Sequence, residues 1–322
     1  MRAGRLDKAE RDELFVGMTD EVARLVLRTN YQQNTVLAAA RKQSASMLHV
    51  HTRYMRKLER DGYLTRGMEC LPDDKAIAAR RSAGQGLTGP EFATLISYTK
   101  IALAEQILAS DLPDDPYLRS VLVEYFPTPL RERFGDAIAQ HPLRREIVTT
   151  MVVNDMVNRC GSTFAFRFNE ETGADAPEIA RAYLLVTEVF GLRDFWAEVE
   201  ALDYRVDVDT QLKMLLEARK LIERSARWLM RYRSFGSDLN AEIVRFREGV
   251  REIVPQLPEM LQGRDLESFN ERRDLLTARG VPRELAVRVA DMVPAYSTFD
   301  LVRVSEETGR SLREVAEVYF DL

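Results

Sequence analysis

Apolar residues recur along most of the chain at steps of three and four, the spacing of one helical face. Met18, Val22, Leu25, Val26 and Thr29 follow it, and so do Phe92, Leu95, Ile96, Thr99 and Leu103. The clearest predicted helix covers 209–233. There Met214, Leu221 and Trp228 form one heptad series and Leu215, Ile222 and Leu229 a second. Ala218, Ser225 and Ala226 lie between them and let a neighbouring helix approach closely. Such a stripe reads as bundle packing rather than a ligand groove. Strand-like alternation is scarce, and the best candidate is the short run Tyr204-Arg205-Val206-Asp207-Val208. The expected fold is all-α: one or more multi-helix bundles, two soft subdomains, and little or no sheet.

Prolines punctuate the helices. Thr128-Pro129 and His141-Pro142 place proline just inside a helix start, where its missing N–H costs nothing. Asp111-Leu112-Pro113-Asp114-Asp115-Pro116 breaks two helices, and Pro255 and Pro258 close one that begins near Asp238. A weak repeat also appears. Glu170-Glu171-Thr172-Gly173, followed by Glu178, Ala180 and Tyr183, recurs as Glu306-Glu307-Thr308-Gly309, followed by Glu314, Ala316 and Tyr319. A third, partial copy holds Pro90-Glu91, Ala93 and Tyr98. Capping-box spacings accompany all three: Thr88 with Glu91, Asp175 with Glu178, Ser311 with Glu314. The unit reads as helix, left-handed glycine, capped helix.

Composition narrows the classes. The 322 residues carry 46 basic and 51 acidic side chains, a net charge of −5, which gives no reason to expect nucleic acid. No apolar run is long enough to span a membrane, and the charged first residues give no secretory signal. Two cysteines, Cys70 and Cys160, form no framework and fit a reducing cytoplasm. Cys160 does not read as a catalytic thiol, since no histidine lies near it in sequence.

Several local patterns invite a chemical reading, and each has a plainer one. Gly84-Gln85-Gly86-Leu87-Thr88-Gly89 has the letters GxGxxG. A dinucleotide fingerprint needs a buried strand before it, and 73–81 is charged and helix-like, so this is expected to be a loop. His49 and His51 fall on opposite sides of a helix, and His141 reads as a helix-start residue, so no metal site is expected. Arg53, Arg56, Lys57 and Arg60, with Tyr54 between them, read as a solvated face with Met55 and Leu58 inward. Arg224, Arg227, Arg231 and Arg233 gather at a helix C-terminus, where cations complement the carbonyls. Asp73-Asp74 and Asp114-Asp115 read as caps. Asn154, Asp155, Asn158 and Arg159 interrupt an apolar helix on one face. They are expected to form a buried, hydrogen-bonded structural cluster, because buried polar groups must find partners. No catalytic, cofactor-binding or metal-ligating residue emerges.

Several strings, in order, carry a family resemblance. They are Met18-Thr19-Asp20-Glu21-Val22-Ala23 with Leu25-Val26-Leu27 and Asn30; Gly86-Leu87-Thr88 with Pro90-Glu91; and Ser110 through the 111–116 break to Tyr117. Tyr125-Phe126-Pro127, His141-Pro142-Leu143-Arg144-Arg145-Glu146-Ile147, and Asn154-Asp155-Met156-Val157-Asn158-Arg159 complete the set. The chain resembles the C-terminal region of the large bacterial NAD-dependent glutamate dehydrogenases. It departs at Gly89, where the family more often carries arginine. The resemblance implies a parent enzyme that oxidatively deaminates L-glutamate to 2-oxoglutarate and ammonia with NAD. Its dehydrogenase core lies before this region, so the chain alone is expected to be inactive. The resemblance further implies residues 1–86 adjoining that core and 87–322 forming a C-terminal helical domain. A cytoplasmic homo-oligomer is expected, with the core as partner. The other class is a free-standing helical module that binds a protein or an amino-acid effector.

Overall fold

The computed structural model describes residues 6–232 and 238–321, and 79% of these are helical. No strand occurs among the described residues, so the all-α expectation holds. The chain divides into two compact units, residues 1–167 and 168–322.

The first unit holds α1 (Lys8–Lys42), α2 (Leu48–Arg60), α3 (Asp74–Ser82), α4 (Gly89–Leu108), α5 (Arg119–Glu124), α6 (Thr128–Ala139) and α7 (Arg144–Cys160). Helix α8 (Phe164–Thr172) carries the chain across the boundary. Helix α7 packs against both α4 and α1, and α1 also touches α4 and α6. Helix α4 turns inward the stripe its spacing foretold: Phe92, Leu95, Ile96, Thr99 and Leu103 are all buried. The Thr99 hydroxyl donates to Leu95 O at 2.7 Å, so its burial leaves no unmet donor. In α1 the same spacing divides differently. Met18 is buried and Leu25 half-buried, whereas Val22, Val26 and Thr29 face outward. The inward stripe of α1 runs through Leu14, Met18, Glu21, Leu25 and Val36, rotated from the predicted one.

The second unit holds α9 (Ala176–Val189), α10 (Leu192–Glu200), α11 (Val208–Tyr232), α12 (Leu239–Ile253), α13 (Leu257–Met260), α14 (Gly263–Ala278), α15 (Arg283–Asp291), α16 (Thr298–Thr308) and α17 (Leu312–Asp321). Helix α9 packs against α10, α11 and α12. Both heptad series of α11 point inward, with Met214, Leu221, Ile222, Trp228 and Leu229 buried and Leu215 half-buried. Trp228, Phe246 and Phe299 join α11, α12 and α16, with the last two ring centroids 4.5 Å apart. Gly249 makes the α12–α16 approach possible, since a Cβ there would lie 2.3 Å from Val302 Cγ2.

Two local expectations are corrected. Residues 204–208 form no strand. Tyr204 takes a left-handed φ of 64°, and the Arg205 and Val206 N–H groups both donate to Leu202 O, closing a turn after α10. Asp207 then caps α11, accepting from Thr210 N at 2.9 Å and from the Thr210 hydroxyl at 2.7 Å. The alternation came from a buried Val206 between polar turn residues. Pro142 sits in the turn before α7 rather than within its first turn, and Leu143 N donates to His141 Nδ1 at 3.1 Å.

Candidate functional site

The repeat is real at the level of the backbone. Helices α8 and α16 each end at a threonine followed by a left-handed glycine, Gly173 at φ 74° and Gly309 at φ 68°. Each then enters a capped helix. Glu178 accepts from Asp175 N at 2.9 Å, and Glu314 accepts from Ser311 N at 2.9 Å. The threonine hydroxyls fold back identically, Thr172 to Phe168 O and Thr308 to Val304 O, both at 2.7 Å. The glutamates before them fasten neighbouring helices: Glu171 takes Arg227 of α11, and Glu306 takes Arg245 of α12.

The strings behind the resemblance converge on joints between helices of the first unit. At one, Glu21 of α1 caps α6. Its carboxylate accepts from Thr128 N at 2.8 Å, from the Thr128 hydroxyl at 3.0 Å and from Arg131 at 3.2 Å. The Thr128 N–H is the main reason its carboxyl lies below the ordinary range. At another, Arg145 donates to Leu108 O at 2.8 Å and Ser110 O at 2.7 Å, and pairs with Asp114. It thereby satisfies carbonyls left open where α4 ends.

The third joint is the glycine loop, and its geometry does not fit a dinucleotide. The loop follows α3, a helix, where a nucleotide fold supplies a strand. The room at Gly86 is filled: a Cβ there would lie 2.2 Å from Ser44 C. The glycine thus permits a close approach of its own chain, the turn after α1, rather than of a phosphate. Glu91 locks the loop. It accepts from Thr88 N at 2.7 Å and from both terminal nitrogens of Arg80, at 2.6 and 2.7 Å. Burial raises the Glu91 carboxyl, and the hydrogen bonds from Arg80 and Thr88 outweigh it, leaving the group below its usual range.

The basic stretch of α2 is a solvated face. Arg53, Arg56 and Arg60 are exposed, while Tyr54, Met55 and Leu58 are buried. Arg56 pairs with Asp74 at 3.1 Å and Lys57 with Asp61 at 2.5 Å. His49 is exposed, and His51 is buried edge-on to Phe92 with centroids 4.9 Å apart. No group of three or more potential metal ligands occurs among the described residues. Of the arginine cluster, Arg227 holds Glu171 and lies over Phe168, and Arg224 lies over Tyr296. Arg231 lies over Tyr232, and Arg233 falls outside the described residues.

Asn154, Asp155, Asn158 and Arg159 share a face of α7. Asn158 is buried and the others are half-buried. Arg159 Nε stands 4.0 Å from Asp155 Oδ1, and both residues engage further partners. Asp291 at the end of α15 was not anticipated. It is buried, its Oδ1 has no hydrogen-bond partner among the described residues, and burial pushes its carboxyl up to about 7. The available signal was a carboxylate at a helix C-terminus, the end where cations belong.

A family model described as "Glutamate dehydrogenase, C-terminal" matches residues 84–322. The chain belongs to that family. A second model, "Bacterial NAD-glutamate dehydrogenase, catalytic domain", matches residues 1–40. Among curated members, the NAD-specific glutamate dehydrogenase of Mycobacterium tuberculosis is 39% identical over 320 residues. That of Pseudomonas aeruginosa is also 39% identical over 320 residues, and that of Halomonas elongata 35% over 319. Each match covers 99% of this chain and 20% of the relative, so the chain spans about a fifth of these glutamate dehydrogenases. No helix among the described residues is long and apolar enough to cross a membrane.

Proposed function

We infer that this chain serves as the helical C-terminal region of an NAD-dependent glutamate dehydrogenase. The parent oxidises L-glutamate to 2-oxoglutarate and ammonia with NAD, using a core outside this chain. One observation carries the reading: the C-terminal model covers 84–322, while the catalytic-domain model reaches only residue 40. The role assigned to 1–86 is to adjoin the core, and that of 87–322 to brace it. This division is one of role, and the chain divides into its two compact units elsewhere, after Arg167. The joints at Glu21, Arg145 and Gly86 support bracing, because their polar groups are engaged in fixing helices to one another. The Asn154 to Arg159 face belongs to the same scheme as a structural cluster. A cytoplasmic homo-oligomer without nucleic-acid partners completes the proposal.

The test is a chimera in which this chain replaces the matched fifth of the Pseudomonas aeruginosa enzyme. Glutamate-dependent NADH production by the chimera is expected. A folded chimera without it overturns the reading.

A further inference from the structure

Helix α1 has a second, apolar face that is exposed among the described residues. Phe15 is 57% exposed, Val16 78%, Val22 42%, Val26 54% and Leu27 67%. At about 100° per residue they fall in one sector, and from 15 to 27 the sector runs about 18 Å along the helix. Ala23, also exposed, lies among them. The polar member, Thr19, donates its hydroxyl to Phe15 O at 2.9 Å, so its one polar hydrogen is already engaged within the helix. Contiguous apolar patches of this kind on a helix mark contact surfaces.

The opposite face is already in use. Met18 and Val36 are buried there, Glu21 caps α6, and Glu10 pairs with Arg133 at 3.0 Å. Helix α1 is thus fixed to the first unit along one side and bare along the other.

We propose that the bare stripe of α1 docks onto the remainder of a dehydrogenase catalytic domain. This rests on the functional reading above. The occupant follows from two observations. Residues 1–40, which hold the whole stripe, match the catalytic-domain family, whereas 84–322 match the C-terminal family. Four fifths of each curated relative lies outside the match. Helix α1 therefore belongs to one domain by descent and to the helical unit by packing, a rigid element shared between them. Any displacement of the core against α1 is carried by the Glu21–Thr128 and Glu10–Arg133 contacts into α6.

The experiment places a single thiol on the stripe, Val26→Cys in a Cys70→Ser background, and measures its rate of maleimide labelling. Cys160 is buried. In the isolated chain labelling is fast. In the Pseudomonas aeruginosa chimera it slows by about tenfold or more, as for a site that must open locally to react. Val244→Cys, on an exposed position of α12, labels at the same rate in both. A chimera that makes NADH while Val26→Cys stays fully reactive overturns the docking and leaves the functional reading standing. Sedimentation of the isolated chain gives a second test. A monomer is expected, and a dimer that Val22→Glu with Val26→Glu disperses would put a second copy on the stripe and overturn the proposal.

Discussion

Gly86 and Asp291 carry the sharpest consequences of single side chains. Gly86→Ala forces a methyl group into the Ser44 backbone, which cannot yield as a flexible side chain would. Overpacking of this kind costs about 1–3 kcal/mol, so the melting temperature of Gly86→Ala should fall by several degrees while the helical content stays the same. Asp291 acts through pH. Its folded value near 7 lies above its ordinary 3.8. Its contribution is therefore greatest below about 4 and is lost as pH rises through 7, because the folded state then holds a buried charge. Asp291→Asn should raise the melting temperature at pH 8 and leave it nearly unchanged at pH 4. Equal shifts at both values would remove the burial argument. The role of Gly86 was not legible in the sequence, and Asp291 offered only its place at a helix C-terminus. Gly86 looked like a loop glycine, but its partner Ser44 lies far away in the chain, and no local pattern reports such a contact. His49 and His51 were legible, because a two-residue step on a helix dictates opposite faces.

Helix boundaries were legible wherever a cap encodes them. Thr88 with Glu91, Asp175 with Glu178 and Ser311 with Glu314 all close as the spacing demands, since the interaction is contained within four residues. The 204–208 run misled because alternation over five residues is equally served by a turn with one inward valine. Helix α1 misled differently: its pattern contains two apolar faces, and periodicity cannot say which one the chain covers. On α7, the Asn154 to Arg159 cluster predicts a stability effect. Asp155→Ala or Arg159→Ala should lower the melting temperature more than the exposed Lys213→Ala, by an amount equivalent to about 1–3 kcal/mol. Wild-type melting in both variants, with reduced activity of the chimera, would make the face a contact site instead.

For the whole molecule, the two kinds of shifted carboxylate act in opposite directions. Glu21, Glu59, Asp74 and Glu91 are held below their ordinary values of 4.5 or 3.8, chiefly by hydrogen bonds from Thr128, Arg66 and Arg80, although burial opposes this most strongly at Glu91. Stability from these groups is present at neutral pH and lost as pH falls through the carboxylate range. Asp291 loses its share as pH rises toward 7. Thermal stability should therefore peak at about pH 5, fall on the acid side as the paired carboxylates protonate, and fall on the other side until about pH 7, where the Asp291 loss is complete and the curve levels off. A steady rise from pH 5 to 8 would contradict the Asp291 assignment. At this scale the all-α architecture was legible because nearly every segment repeats the same period, whereas the division after Arg167 was not, since it falls inside α8 with no break in the pattern.

We propose above that this helical region supports a dehydrogenase without carrying its chemistry. The most direct test is the isolated chain given L-glutamate and NAD, with NADH absorbance followed and NAD binding read in parallel by calorimetry. No NADH and no binding heat are expected, since Ser44 fills the space at Gly86 and α3 stands where a nucleotide fold would place a strand. Steady NADH production, or NAD binding that Gly86→Ala abolishes in a variant that still folds, would contradict the claim.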